Sequence, residues 1–181
     1  MKKTAIVTGS SRGIGFAIAK QLGLDGYNIV MVATGPQEKN QAALDELKTQ
    51  GIDCAYVQAN IGSADDRKKI LDGALAAFGR VDVLVNNAGI YSKEDTCDVS
   101  EAQFDKVLDA NLKSVFFACQ WFFKHHIDAG TTGNVVNIAS VSSVTYVPDN
   151  ALYNVSKAGV VTLTKTFARN MGKHGIRVNA V

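Results

Sequence analysis

The segment Thr8-Gly9-Ser10-Ser11-Arg12-Gly13-Ile14-Gly15, placed directly after a short apolar run, constrains this chain more than any other feature. Glycines at these spacings let the backbone adopt positive φ and pass close to another group. The hydrophobic period changes at the same point. Residues 4–8 read as a buried strand, and residues 13–25 read as a helix with Ile14, Ala17, Ile18 and Leu22 on one face. A helix starting there presents unpaired N–H groups and a partial positive charge, which suits a phosphate. A bare strand–helix turn needs glycines too, so the weight lies in the position, at the end of a first strand and opening a βαβ unit.

The rest of the chain repeats that unit. Apolar runs at 28–33, 52–57, 81–85, 134–139 and 176–180 read as strands. Helical patterns fall between them. They cover 37–50, 63–78 with Ser63 as N-cap, 100–129 as two helices or one bent one, and 152–173 with Gly172 and Gly175 at its end. Near-continuous apolar strands alternating with helices indicate a parallel sheet with helices on both faces. Right-handed crossovers make this a doubly wound α/β Rossmann fold. No repeat, low-complexity tract or linker interrupts it, so residues 1–181 are expected to form a single domain.

A net charge of +2 gives no electrostatic footprint for nucleic acid or a membrane surface, and no apolar stretch has the length of a membrane span. Lys2 and Lys3 precede only a short apolar run before the glycine turn, which is not the pattern of a signal peptide. Cys54, Cys97 and Cys119 are scattered and have no zinc-type spacing, so no metal is expected. Free thiols fit a reducing compartment, and the expected localisation is cytoplasmic. His125 and His126 read as solvated helix-end residues.

Tyr153 and Lys157 stand four apart on the sixth predicted helix, so both side chains leave the same face. A free tyrosine ionises near pH 10 and is a poor base at neutrality; an adjacent ammonium favours the phenolate. Such a pair suits proton transfer to or from an alcohol oxygen, although two polar residues at this spacing also fit any exposed helix face. Ser140 ends the fifth predicted strand, thirteen residues before Tyr153, with Ser142 as the alternative hydroxyl. Asn111 lies within the 100–129 region, where Asn is intrinsically poor.

The glycine spacing is GxxxGxG, Asn86-Asn87-Ala88-Gly89 follows the fourth strand, and Tyr153-Asn154-Val155-Ser156-Lys157-Ala158-Gly159 surrounds the pair. Together these motifs resemble the short-chain dehydrogenase/reductase family over nearly the whole chain, from Lys3 to Val181. The resemblance implies hydride transfer between a nicotinamide and a ketone or secondary alcohol. Within it, Tyr153 is the acid/base, Lys157 assists it and binds the nicotinamide ribose, Ser140 polarises the oxygen, and the backbone of Asn111 helps hold a relay water. Cofactor contacts are expected from Gly9, Ser11, Arg12, Gly13, Ile14, Gly15, Thr34, Asn60, Asn87, Ala88, Gly89, Tyr153 and Lys157.

An NAD site usually places a carboxylate about 20 residues beyond the loop, on the ribose 2′-OH. Here the second strand runs out as Val32-Ala33-Thr34-Gly35, and Glu38 comes later. Arg12 supplies a guanidinium suited to a 2′-phosphate, and Lys39 is a second cation nearby. NADP(H) is therefore expected in preference to NAD(H).

The chain stops at Arg177-Val178-Asn179-Ala180-Val181, where the resembling proteins continue, so the domain is expected to be truncated at its C-terminus. Substrate-side loops are expected at 90–99 and 141–150, the second partly apolar through Val144, Tyr146, Val147 and Pro148. The nearest resemblance within the family is to the 3-oxoacyl-acyl-carrier-protein reductase group, which implies fatty acid biosynthesis and a carrier-bound substrate. A carrier of that kind is acidic, and Lys173 and His174 are candidate docking residues. A sugar, polyol or other small-ketone dehydrogenase is the alternative, and a non-catalytic cofactor-binding fragment is the reading from a different class. Phe116, Phe117, Trp121, Phe122 and Phe123 occupy more than one face of one helix, which points to a homodimer or homotetramer interface, or to a fully buried helix.

Overall fold

The computed structural model describes residues 2–93, 95–145 and 147–181. Six strands form one sheet: β1 (Thr4–Thr8), β2 (Asn28–Ala33), β3 (Cys54–Gln58), β4 (Val83–Asn86), β5 (Asn134–Asn137) and β6 (Arg177–Ala180). Their order is β3-β2-β1-β4-β5-β6, with every pairing parallel. The helices are α1 (Gly13–Leu24), α2 (Gln41–Thr49), α3 (Ala64–Phe78), α4 (Glu101–Leu108), α5 (Ser114–Ala129) and α6 (Ala151–Met171). The doubly wound parallel sheet is as expected.

Strand alternation divides the core into two layers. Ala5, Val7, Ile29, Met31, Val83 and Val85 pack with Ala19 of α1 and Leu44 and Leu47 of α2. Ile6, Val30, Val32 and Leu84 point to the opposite face and pack with Ile70 of α3, Phe122 of α5 and Val160 of α6. β1 is buried at every residue because it is flanked by two strands and covered on both sides. The chain reverses its winding between β1 and β4, so a crevice opens at their carboxyl ends.

Several local expectations change. Ile14 and Ala17 do not face the core; Ile14 is 67% exposed, and Gly15 and Ala19 are the buried residues of α1. The reason is the glycine turn, which brings the first turn of α1 against backbone and leaves Ile14 over the crevice. The 37–50 helix begins as a 3-10 turn, Gln37–Asn40, behind Pro36, before α2 proper. β3 and β4 start two residues later than the apolar runs.

His126 is not solvated. It is 2% exposed, its ring 4.4 Å from that of Phe122 and its Nδ1 2.8 Å from Thr131 Oγ1.

Ser63 does cap α3, accepting from the Asp66 N–H. The 100–129 region forms two helices, α4 and α5, as one of the two readings had it. A capping box of Ser100 and Gln103 opens α4, and a π-helical turn, Asp109–Lys113, separates α4 from α5. Asn111 sits in that turn, 1% exposed.

Candidate active site

The crevice is built from the loops that follow β1, β2, β3 and β4. It has a volume of about 470 Å³ and takes in Gly9, Ser11, Arg12, Ile14, Gly15, Thr34, Asn60, Asn87, Ala88 and Gly89. Gly13, Lys39, Tyr153 and Lys157 do not line it. Gly9 has φ +65°, and a Cβ there would lie 2.9 Å from Ala88 Cα. A Cβ on Gly15 would fall on the Gly9 carbonyl oxygen and on Asn87 Nδ2. Close backbone packing therefore requires both glycines.

Three hydrogen-bond groups hold the crevice open. Thr8 Oγ1 accepts from the N–H groups of Asn87 and Ala88, each at 3.0 Å, while Asn87 Nδ2 donates to Thr8 O and Gly9 O. The Tyr56 hydroxyl donates to Gly35 O and accepts from Asn40 Nδ2, fastening the loop after β2. Asn60 Oδ1 accepts from the Gly62 N–H, so it serves the turn after β3 while lining the crevice.

The residues present fit a dinucleotide. No side chain caps the N-terminus of α1, so its N–H groups face the crevice free of a side-chain acceptor. Arg12 lines the mouth with no carboxylate partner among the described residues. No acidic side chain of the described residues lines the crevice.

Sequence reasoning missed Ala59, Ile61, Ile90 and Ala110 as lining residues. Ile61 and Ile90 directly follow Asn60 and Gly89, and that adjacency was the available signal. Arg67 was missed as a support: 6% exposed, it donates from Nη1 to Ile61 O at 2.7 Å and lies 5.3 Å over the Phe117 ring.

The Tyr153 and Lys157 pair adjoins the crevice. Lys157 is 6% exposed; its Nζ donates to Ile138 O at 2.7 Å and lies 5.7 Å from the Tyr153 ring centroid. A Cβ on Gly89 would lie 3.8 Å from that Nζ, so the ammonium stands directly behind a lining residue. Burial pushes the Lys157 ammonium below the ordinary lysine range.

Asn111 ties the region together. Its Oδ1 accepts from the Ile90 N–H at 2.7 Å, and its Nδ2 donates to Ile90 O and to Ser156 Oγ. Ser156 Oγ donates in turn to Tyr153 O at 2.8 Å.

Ser140 caps a 3-10 turn, Val141–Ser143, that packs against α6. Its Oγ accepts from the Ser142 N–H at 3.1 Å, and Ser142 itself is buried. No hydrogen bond joins Ser140 to Tyr153 among the described residues. In the 141–150 loop, Val144 is 79% exposed and Asn154 Nδ2 holds Val147 O; Tyr146 lies outside the described residues.

A family model described as short chain dehydrogenase matches residues 3–181. A 3-oxoacyl-acyl-carrier-protein reductase of Staphylococcus aureus is 41% identical over 181 residues, covering 100% of this chain and 73% of that protein. A 3beta-hydroxysteroid dehydrogenase of Eggerthella lenta is 37% identical over 179 residues, covering 99% and 69%. A metagenomic short-chain oxidoreductase solved in complex with NADP superposes with a TM-score of 0.92 at 34% identity, covering 98% of this chain and 80% of the other.

Proposed function

Because this chain belongs to the short chain dehydrogenase family of oxidoreductases, which act on CH–OH and C=O groups, we propose that it is an NADPH-dependent reductase interconverting a ketone and a secondary alcohol. The observation that carries this reading is the continuity of the β1/β4 crevice with the Tyr153 and Lys157 pair, through Gly89. Among the described residues Arg12 has no carboxylate partner and the crevice no acidic side chain, which favours the phosphorylated cofactor. The solved relative in complex with NADP supports the same preference.

When bound, a nicotinamide dinucleotide supplies or accepts the hydride. The N-terminus of α1 and the Gly9–Gly15 loop would hold its phosphates, Arg12 would meet the 2′-phosphate, and Asn60, Asn87 and Ala88 would line the remainder. In the reductive direction Tyr153 donates its phenolic proton to the carbonyl oxygen as that oxygen gains charge. Lys157 stabilises the phenolate left behind, and Ser140 donates a hydrogen bond to the same substrate oxygen. Asn111, through Ile90 and Ser156, positions the strand-end loop against α6.

Residues 1–181 act as one domain in this account. The finer assignment, a 3-oxoacyl-carrier-protein reductase, is supported by the 41% identical relative of that name; a place in the cytoplasm and in fatty acid biosynthesis belongs to the same proposal. No helix among the described residues is long and apolar enough to cross a membrane. Self-association into a dimer or tetramer is supported by an apolar groove of about 380 Å³ between α5 and α6, lined by Phe116, Phe123, Ile127 and Phe167.

The test is NADPH consumption with a panel of acetoacetyl esters, diketones and sugars. Reduction of at least one ketone, faster with NADPH than with NADH, is the expected result. NADH serving equally well would remove the cofactor preference, and no turnover with any member would remove the reductase reading.

A further inference from the structure

A second cleft opens on the other side of Ile90. Its volume is about 470 Å³, and Ile90, Tyr91, Lys93, Gln103, Lys106 and Val107 line it. Ile90 is a wall of both clefts, and Asn111 pins it through both its N–H and its carbonyl. Tyr91 meets Tyr153 edge to face, with centroids 5.3 Å apart. The second cleft therefore adjoins both the crevice and the proposed proton donor.

Its charge is one-sided. Lys93 comes from the loop after β4 and Lys106 from α4, so the two cations approach from different elements. Neither has a carboxylate partner among the described residues, and no Asp or Glu of the described residues lines the cleft. Gln103 accepts from the Ser100 N–H and hydroxyl through Oε1, so its amide end is fixed in place at the rim. Two ammonium groups with no carboxylate partner among the described residues, facing one concavity, attract an anion.

We propose that the cleft of Lys93 and Lys106 selects a compact carbonyl substrate bearing its own negative charge, a carboxylate or a phosphate, held while Tyr153 works on the carbonyl. This rests on the reading of Tyr153 as the reacting acid. A neutral ketone of the same size would leave both ammonium groups without a partner.

The experiment is equilibrium binding to the NADP⁺-saturated chain of two matched pairs, acetoacetate with methyl acetoacetate and dihydroxyacetone phosphate with dihydroxyacetone. The unaltered chain is expected to bind at least one charged member about tenfold tighter than its neutral partner, equivalent to about 1.4 kcal/mol. The pair that shows the preference identifies carboxylate or phosphate as the charge. Lys93→Met and Lys106→Met, both at exposed positions, are expected to abolish the preference while leaving the neutral ligands unchanged. Equal binding within both pairs, or a preference that survives both substitutions, would overturn the proposal. Reduction of methyl acetoacetate by NADPH tests the reaction separately. If reduction fails while the lysine-dependent preference persists, the reductase reading falls and the anion cleft stands. If reduction proceeds and the substitutions change nothing, the cleft falls alone.

Discussion

At the residue scale, the proposed preference for NADPH rests on Arg12, which lines the crevice. Hydrogen bonds to charged groups contribute about 1.5–3 kcal/mol. Arg12→Ala should therefore weaken NADPH binding roughly 10- to 100-fold and leave NADH almost untouched, as fluorescence titration with the two cofactors would show. An equal loss for both would mean that Arg12 contacts a part they share. Gly15→Ala should eliminate binding of both, because its Cβ would displace the Gly9 carbonyl and Asn87, and a titration that still saturated would refute that packing argument. Most lining residues could be read from the chain because short ordered motifs encode them: the glycine turn and Asn87-Ala88-Gly89. Arg67 could not. Its side chain reaches a backbone carbonyl six residues back, and no residue-type pattern marks that.

At the scale of elements, the parallel doubly wound sheet was legible, since strands buried on both faces must be nearly continuous in apolar residues, whereas the order of the strands was not. The helix faces were less legible. The apolar side chain of Ile14 suggested a core position, but the glycines beside it pull backbone rather than side chain into contact. The end of α5 was also misread, since two adjacent histidines look polar while His126 closes the layer under Phe122. Burial, with His125 beside it, lowers the His126 pKa from 6.5 to about 4. The folded state therefore resists a proton that the unfolded chain accepts. Stability should be full above pH 6.5, fall as pH drops from 6.5 towards 4, and lose on the order of 3 kcal/mol from this group. Urea unfolding across that range should show the slope, and His126→Gln should flatten it; an unchanged slope would assign the acid sensitivity elsewhere.

At the scale of the whole molecule, α5 divides its aromatic residues between two jobs. Phe122 and Phe123 are buried, whereas Phe116 and Phe117 are 37% and 38% exposed and Ile127 is 41% exposed. Lys124 and Asp128 stand on the same groove with opposite charges, an arrangement that a two-fold axis would pair across copies. Ile127→Lys should shift sedimentation towards the monomer while preserving the circular dichroism of the fold. Unaltered sedimentation would place the contact on another face. The chain's shape also concentrates its chemistry: the crevice, the cleft of Lys93 and Lys106 and the Tyr153 pair all meet at Ile90 and Gly89.

The proposed reduction depends on proton transfer from Tyr153 to the substrate oxygen at this junction. The most direct test is the rate of NADPH oxidation by Tyr153→Phe relative to the unaltered chain, with a reducible ketone present and cofactor saturating. The account predicts a fall of at least about 100-fold, the contribution of a positioned acid, with the stabilisation by NADPH in a thermal melt preserved. A variant that turned over at the original rate would contradict it.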